Sequence, residues 1–159
     1  MTKRLLARLN VELREIEHEL KNKLPQEISR AASLGDLSEN AEYEAALDRQ
    51  RLLQTKFRNL KNRIGEIAKI DVSRLPTDRV GYGSIVDIFD IDEEKEIQYQ
   101  LVMPEDSDAK TNRISISSPI GRALMGKKAE EEVQVDIPSG TKNYEITAVI
   151  PYCETSQDL

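Results

Sequence analysis

Along residues 2–34 the apolar side chains return at a helical interval. Leu6, Leu9, Leu13, Ile16 and Leu20 step by 3, 4, 3 and 4, and Leu24 and Ile28 extend the series. This is a heptad seam, one apolar stripe along an α-helix. Glu12, Arg14, Glu15, Glu17, Glu19 and Lys21 fill the positions between and make the opposite face a solvated one. Pro25 removes a backbone donor, so the helix is expected to bend or break briefly there. Leu53, Phe57, Leu60, Ile64 and Ile67 step by 4, 3, 4 and 3 in a second helix, which runs to about Ala68. Gly35 stands where a left-handed residue would close the first helix. Asp36 is then expected as N-cap of the second helix, with Glu39 at N3. Two heptad helices joined by a tight turn are antiparallel partners, so residues 1–73 read as a coiled-coil hairpin. At 1.5 Å per residue, such an arm holds its turn about 45 Å from its base.

From Asp71 to Arg79 the periodicity is lost and Pro76 intervenes, so 74–79 reads as a linker. Beyond it the period changes. SIVDIFDI (84–91), EIQYQLVM (96–103), NRISIS (112–117), EVQVDI (132–137) and NYEITAVI (143–150) alternate or run apolar over strand lengths. In SSPIGRALMGKK, Ser118 can cap, Pro119 suits the first helical position and Gly126 can end a helix of two turns. The order β-β-β-α-β-β over 80–152 predicts a small antiparallel sheet carrying one helix, with Ile85, Phe89 and Ile91 on its core face. The fold class is therefore α+β in two domains, and 153–159 reads as a polar tail. Gly81-Tyr82-Gly83 lacks the strand–turn–helix setting of a nucleotide site and reads as a tight strand entry.

Composition narrows the function. Among 159 residues 38% are apolar and 33% charged, with five Tyr, two Phe and no Trp. That suits much solvated helix and one modest core. A net charge of −6 argues against a generally cationic binder of nucleic acid or membrane. It leaves open work on nucleic acid that another protein holds. The single cysteine, Cys153, cannot form an internal disulfide, and no apolar run approaches eighteen residues. A cytoplasmic protein without a membrane segment is expected. His18 has no second His or Cys near it and reads as a surface side chain.

The candidate chemistry lies at the hairpin turn, GDLSENAEYEAA, where Asp36, Glu39, Glu42 and Glu44 crowd together. A helix cap explains Asp36 and Glu39 in most settings. Here they sit at the far end of an arm, where added stability does least for the fold. Two exposed carboxylates can share a divalent cation, and Mg²⁺ typically takes one or two carboxylates with waters and phosphate oxygens. Nothing else in the chain completes such a site: no His pair, no Cys cluster and no phosphate-cradling loop. The tip therefore reads as half of a two-metal site whose other half belongs to a partner. Arg49, Lys56 and Arg63, seven apart, form a stripe on the second helix, with Arg51 on another face. It is open to two readings, pairing with glutamates of the first helix or contact with a phosphate backbone. Arg30 and Arg49 are nearest the tip.

GDLSENAEY (35–43) and ISISSPIGRALMGK (114–127) resemble the tip motif and the C-terminal segment of the Gre family of bacterial transcript-cleavage factors. The resemblance covers about 1–152. It implies an N-terminal coiled coil and a C-terminal domain similar to FKBP. It also implies an activity, in which the hairpin enters the secondary channel of bacterial RNA polymerase and the polymerase then cleaves backtracked nascent RNA. By position, Asp36 and Glu39 would help hold the second Mg²⁺ of the polymerase active site, in trans. Asn40, Glu42 and Tyr43 would support the tip, and Arg30, Arg49, Arg51 and Lys56 would face RNA. Ser117, Ser118 and Pro119 would meet a coiled coil of the largest polymerase subunit. No cofactor is expected on the protein alone, which should be a monomer and not itself an enzyme. One departure is Glu44-Ala45-Ala46-Leu47, where family members often carry His-Ala-Ala-Lys. Competing readings are a channel binder that inhibits without cleavage, a prolyl isomerase, and a coiled-coil adaptor. The few aromatic side chains in 80–152 oppose the isomerase, and an adaptor has no use for the acidic turn.

Overall fold

The computed structural model describes residues 1–152, so Cys153 and the expected tail lie outside the described residues. The chain forms two compact units, one spanning Thr2–Ile70 and the other beginning at Asp71 and including Met1.

The first unit holds α1 (Thr2–His18), a π-helical turn (Glu19–Lys23), α2 (Leu24–Ala32) and α3 (Ala41–Ala68). α1 and α2 both pack along α3. The buried stripe consists of Leu5, Leu9, Leu24 and Ala31 against Ala46, Leu53 and Ile67. Each fully buried leucine contributes about 2 kcal/mol through loss of apolar surface from water. The seam is thus one position off the expected start: Leu5 is buried and Leu6 half-buried. Leu5 precedes Leu9 by a full helical turn, so either phase satisfies the spacing, and the facing helix selects Leu5.

The expected disturbance at Pro25 takes the form of the π turn. The Leu24 N–H reaches the Glu19 carbonyl, five residues back. An α-helical Pro25 would set its ring against the Lys21 carbonyl; the π turn ends just ahead of it, leaving Pro25 in the first turn of α2. The first helix ends at Ala32, and Gly35 has φ 159°, nearly extended. It is therefore not the left-handed closing residue that the sequence suggested.

The second unit holds β1 (Ile85–Asp90), β2 (Lys95–Val102), β3 (Arg113–Ser115), α4 (Pro119–Leu124), β4 (Glu132–Ile137) and β5 (Gly140–Ile150). The sheet order is β3-β2-β1-β5-β4. Neighbours pair antiparallel except β2 and β3, which are parallel. That corrects the all-antiparallel expectation. After β2 the chain runs through two 3₁₀ turns, Pro104–Asp106 and Ala109–Thr111. An antiparallel bridge between Asp108 and Arg113 then reverses it once more, so β3 enters alongside β2 in the same direction.

The core gathers Val80, Val86, Ile88, Leu101, Leu124, Val133, Val135, Tyr144 and Ile146. β1 therefore buries Val86, Ile88 and Asp90, the opposite parity to the expected Ile85, Phe89 and Ile91. Ile85 and Phe89 are half-buried, and Ile91 is exposed. This strand is apolar on both faces, so alternation alone cannot choose between them. Buried Asp90 is satisfied by the N–H groups of Asp92 and Glu93 at 3.0 Å each and by Lys142 Nζ at 3.2 Å. Gly81-Tyr82-Gly83 is a tight strand entry, as the sequence suggested. Gly83 has φ 81° and donates its N–H to the Leu101 carbonyl at 2.7 Å. A side chain there would meet the Tyr152 ring at 2.5 Å, which only glycine avoids.

Candidate functional site

The loop between α2 and α3 is built by one asparagine. Asn40, not Asp36, is the N-cap of α3: its Oδ1 accepts the Tyr43 N–H at 3.1 Å. Its Nδ2 donates to the Ala31 carbonyl at 2.6 Å, which ties the start of α3 to the end of α2. The expected cap at Asp36 with Glu39 at N3 is thereby corrected. Asn40-x-x-Tyr43 outcompetes Asp36-x-x-Glu39 because only Asn can accept from its own helix and donate to the neighbouring one.

Asp36 and Glu39 therefore stand outside the helix, both exposed. Asp36 closes a small turn instead. Its Oδ1 accepts from the Ser38 N–H at 3.1 Å and the Ser38 hydroxyl at 3.0 Å. The first of these bonds, then the second, holds the Asp36 carboxyl below the usual carboxylate range, so it is ionised at neutral pH. The Glu39 N–H donates to the Asp36 carbonyl at 3.4 Å. Glu42 and Glu44 lie in the first turn of α3, where negative charge suits the helix dipole, and Tyr43 is half-buried there. An open hollow is lined by Leu34, Gly35, Asp36, Glu39, Asn40, Ala41 and Glu42. Leu34 is 65% and Leu37 48% exposed on the same loop. Among the described residues no three His, Cys, Asp or Glu side chains gather into a metal-holding group.

The basic residues divide. Arg30 and Arg49 line one hollow below the tip with Glu27, Ala31, Glu42, Ala45 and Ala46. Arg49 forms an ion pair with Glu19 across the hairpin, as the pairing reading of the stripe expects. Arg51 pairs with Asp48 at 2.8 Å and Arg63 with Glu66 at 3.0 Å, both along α3 itself. Lys56 is exposed and contributes nothing to that hollow.

Ser117, Ser118 and Pro119 lie in the second unit. Ser118 caps α4, its hydroxyl accepting the Gly121 N–H at 3.0 Å and donating to the Ser115 carbonyl at 2.7 Å. Pro119 occupies the first helical position. Ser117 and Pro119 are exposed, and the Ser117 hydroxyl bonds that of Ser115 at 2.7 Å. A Cβ on Gly121 would stand 2.0 Å from the Ser115 carbonyl oxygen, so the turn is built around a missing side chain. Sequence reasoning missed Ser38 and the double role of Asn40. The signal was present in Asp-x-Ser, a pattern that favours a local side-chain turn over a helix start.

Two family models cover nearly the whole chain. "Transcription elongation factor, N-terminal" matches residues 1–69, and "Transcription elongation factor, GreA/GreB, C-term" matches 75–151. The chain belongs to the GreA/GreB family. Transcription elongation factor GreA of Trichlorobacter lovleyi is 38% identical over 149 residues, covering 94% of each chain. GreA of Mesorhizobium japonicum is 42% identical over 149 residues, covering 94% of this chain and 95% of its own. Among solved structures, a GreA/GreB factor from Nitrosomonas europaea is similar at 27% identity and a TM-score of 0.42, over 57% of this chain and 78% of its own. GreA factor homolog 1 of Thermus thermophilus aligns at 19% identity and a TM-score of 0.41, over 91% of this chain and 93% of its own. Factors of the GreA/GreB family work in transcription with RNA polymerase, and this chain is a transcription elongation factor of that family. No helix among the described residues is long and apolar enough to cross a membrane.

Proposed function

We propose that this factor stimulates RNA polymerase to cleave the 3′ end of backtracked RNA, with Asp36 and Glu39 reaching the active centre through the secondary channel. One observation carries the reading. Asn40 performs the capping that would otherwise account for the two acids, so Asp36 and Glu39 are left exposed and free of any role in starting α3.

The donor set fits a shared ion rather than a resident one. Two solvated carboxylates are too few to hold Mg²⁺ alone, but they match the one or two carboxylates this ion takes beside phosphate oxygens. When bound in the complex, the second Mg²⁺ supplies positive charge to the oxygens that attack and leave. The chain's own part is positional. Ser38 fixes one oxygen of Asp36 and leaves the other turned to solvent, and Asn40 sets the loop on the helix pair. In this reading Arg30, Arg49, Arg51 and Lys56 face the extruded RNA, Arg49 by exchanging Glu19 for a phosphate. Glu42 and Tyr43 support the first turn of α3. Ser117, Ser118 and Pro119 present a rigid turn to the polymerase. The protein then acts in the cytoplasm as a monomer, an accessory that lends carboxylates to another enzyme.

The test is a backtracked elongation complex with 3′-labelled RNA. Short labelled fragments should appear with the wild-type factor and Mg²⁺, faster than with polymerase alone. Equal rates with and without factor sink the proposal.

A further inference from the structure

The strand parity that the core selects leaves an apolar remainder on the other face of the sheet. Side chains alternate along a strand. With Val86 and Ile88 facing the core, Ile85 and Phe89 turn outward, and on β5 Ala148 and Ile150 turn the same way. Ile150 is 51% exposed; Ile85, beside it in the ladder, and Phe89 are half-buried. Phe89 stands in a row that crosses four strands: Glu96 on β2, Phe89 itself, Glu145 on β5 and Glu132 on β4. All three glutamates are exposed, and among the described residues none of their carboxylates has an ion-pair or hydrogen-bond partner. Glu145 faces Glu132 directly, and like charges directly opposite each other destabilise a sheet. Protection of a sheet edge accounts for Glu132 alone, since β5 and β2 are interior strands. Neither packing nor edge protection calls for Glu96 and Glu145 beside Phe89.

The face selects its occupant by charge. On these four strands it carries Asp87, Glu96, Glu132, Asp136 and Glu145 and no Lys or Arg. It therefore repels nucleic acid, an anionic lipid surface and a second copy of itself. Glu96 and Glu145 flank Phe89 from strands about 10 Å apart. An aromatic ring between two carboxylates suits an organic cation: a guanidinium stacks on the ring and turns its N–H edges to both acids. We infer that this face docks a basic amphipathic helix of a partner protein, with one arginine over Phe89 between Glu96 and Glu145 and an apolar side chain against Ile85 and Ile150. The two anchor points lie four residues apart along β1, about 14 Å. A helix spans that distance with the apolar residue two turns from the arginine, whose own length makes up the remainder. Ala148 and Asp87 pair between the two ends, and Gln98 holds the Asp87 carboxylate at 2.7 Å. The occupant is a helix because a strand laid on the face of a sheet finds no ladder partner for its backbone.

The experiment needs no polymerase and stands apart from the cleavage reading. The probe is a fluorescein-labelled helical peptide of about four turns, with one arginine and one leucine two turns apart and lysines on its flanks. Fluorescence anisotropy with the full chain should show saturable binding below about 1 mM. Glu96→Gln/Glu145→Gln should weaken it about tenfold, and Phe89→Leu, which keeps the apolar bulk and loses the ring, about threefold. Glu12→Gln/Glu15→Gln removes the same charge from α1 and should leave binding unchanged. Amide shifts on adding the peptide should centre on β1, β2 and β5. Glu145→Gln alone should raise the urea midpoint, with about a threefold larger folded-to-unfolded ratio, because it ends the opposition to Glu132. No saturable binding, equal weakening by the α1 control, amide shifts elsewhere, or a midpoint that stays or falls each overturns the inference. So does displacement of the peptide by single-stranded RNA, which gives the face to nucleic acid. Self-association of wild type that Phe89→Leu abolishes gives it to a second copy and overturns the inference equally.

Discussion

Asn40→Ala separates the two residues that compete to start α3. The substitution removes an N-cap acceptor, worth about 1 kcal/mol, and the hydrogen bond from Nδ2 to the Ala31 carbonyl, worth about another 1 kcal/mol. Both bonds are local to the tip, so the loss should appear as easier opening of the first turn of α3 rather than as global unfolding. About 2 kcal/mol corresponds to about a 30-fold faster exchange of the Tyr43 amide, at 1.36 kcal/mol per factor of ten. Native-state hydrogen exchange reads this directly, because the Tyr43 N–H is the donor held by Asn40. Asn40→Asp keeps the acceptor and loses the donor, so it should fall between wild type and Asn40→Ala. Asp36→Ala should leave the Tyr43 amide unchanged while freeing Ser38. The reasoning fails if Asp36→Ala accelerates Tyr43 exchange and Asn40→Ala does not.

Other expectations follow from the second unit and the tip. Gly121→Ala forces a methyl group to within 2.0 Å of the Ser115 carbonyl oxygen. The overpacking should cost about 3 kcal/mol and lower the denaturation midpoint; an unchanged midpoint contradicts the close approach. Glu93 is held at about 2 by hydrogen bonds from Lys142 and then Lys95. At Asp90 burial acts to raise the pKa, but the Glu93 N–H, Lys142 and the Asp92 N–H outweigh it and lower it. A carboxyl with a depressed native pKa stabilises the fold above its unfolded value and loses that contribution as pH falls through its native one. The stability gap between wild type and Lys142→Met should therefore be full at pH 7 and close between about pH 4.5 and 2, read by urea midpoints; a gap independent of pH refutes it. Calorimetric titration of the free protein with micromolar Mg²⁺ should show no saturable binding, since the tip offers two solvated carboxylates; a saturating isotherm would mean the site is complete without polymerase.

Much of this fold is written in hydrophobic periodicity. The heptad steps place both long helices, and the apolar strand-length runs place all five strands and α4 with its cap at Ser118. What periodicity could not decide was a choice between near-equivalent options. In β1 both faces are apolar, and membership of the cluster with Leu101, Leu124, Val135 and Ile146, rather than the strand's own sequence, makes Val86 and Ile88 the buried pair. The parallel pairing of β3 depends on the Asp108–Arg113 bridge, a contact between residues in a stretch without hydrophobic pattern. At the tip, two overlapping capping signatures compete, and the bond from Asn40 to Ala31 decides between them. The π turn was legible, since the run of fourfold steps from Ile16 to Ile28 departs from a heptad before Pro25 is reached.

The central claim, that Asp36 and Glu39 act on RNA rather than on the fold, meets its most direct test in one comparison. Asp36→Asn/Glu39→Gln and wild type are added to backtracked complexes carrying 3′-labelled RNA, and polymerase binding is measured alongside. The account predicts equal binding and unchanged thermal stability, with fragment release by wild type and release by the double variant no faster than by polymerase alone. Equal fragment release by both proteins would contradict it and return the two acids to the status of loop charges.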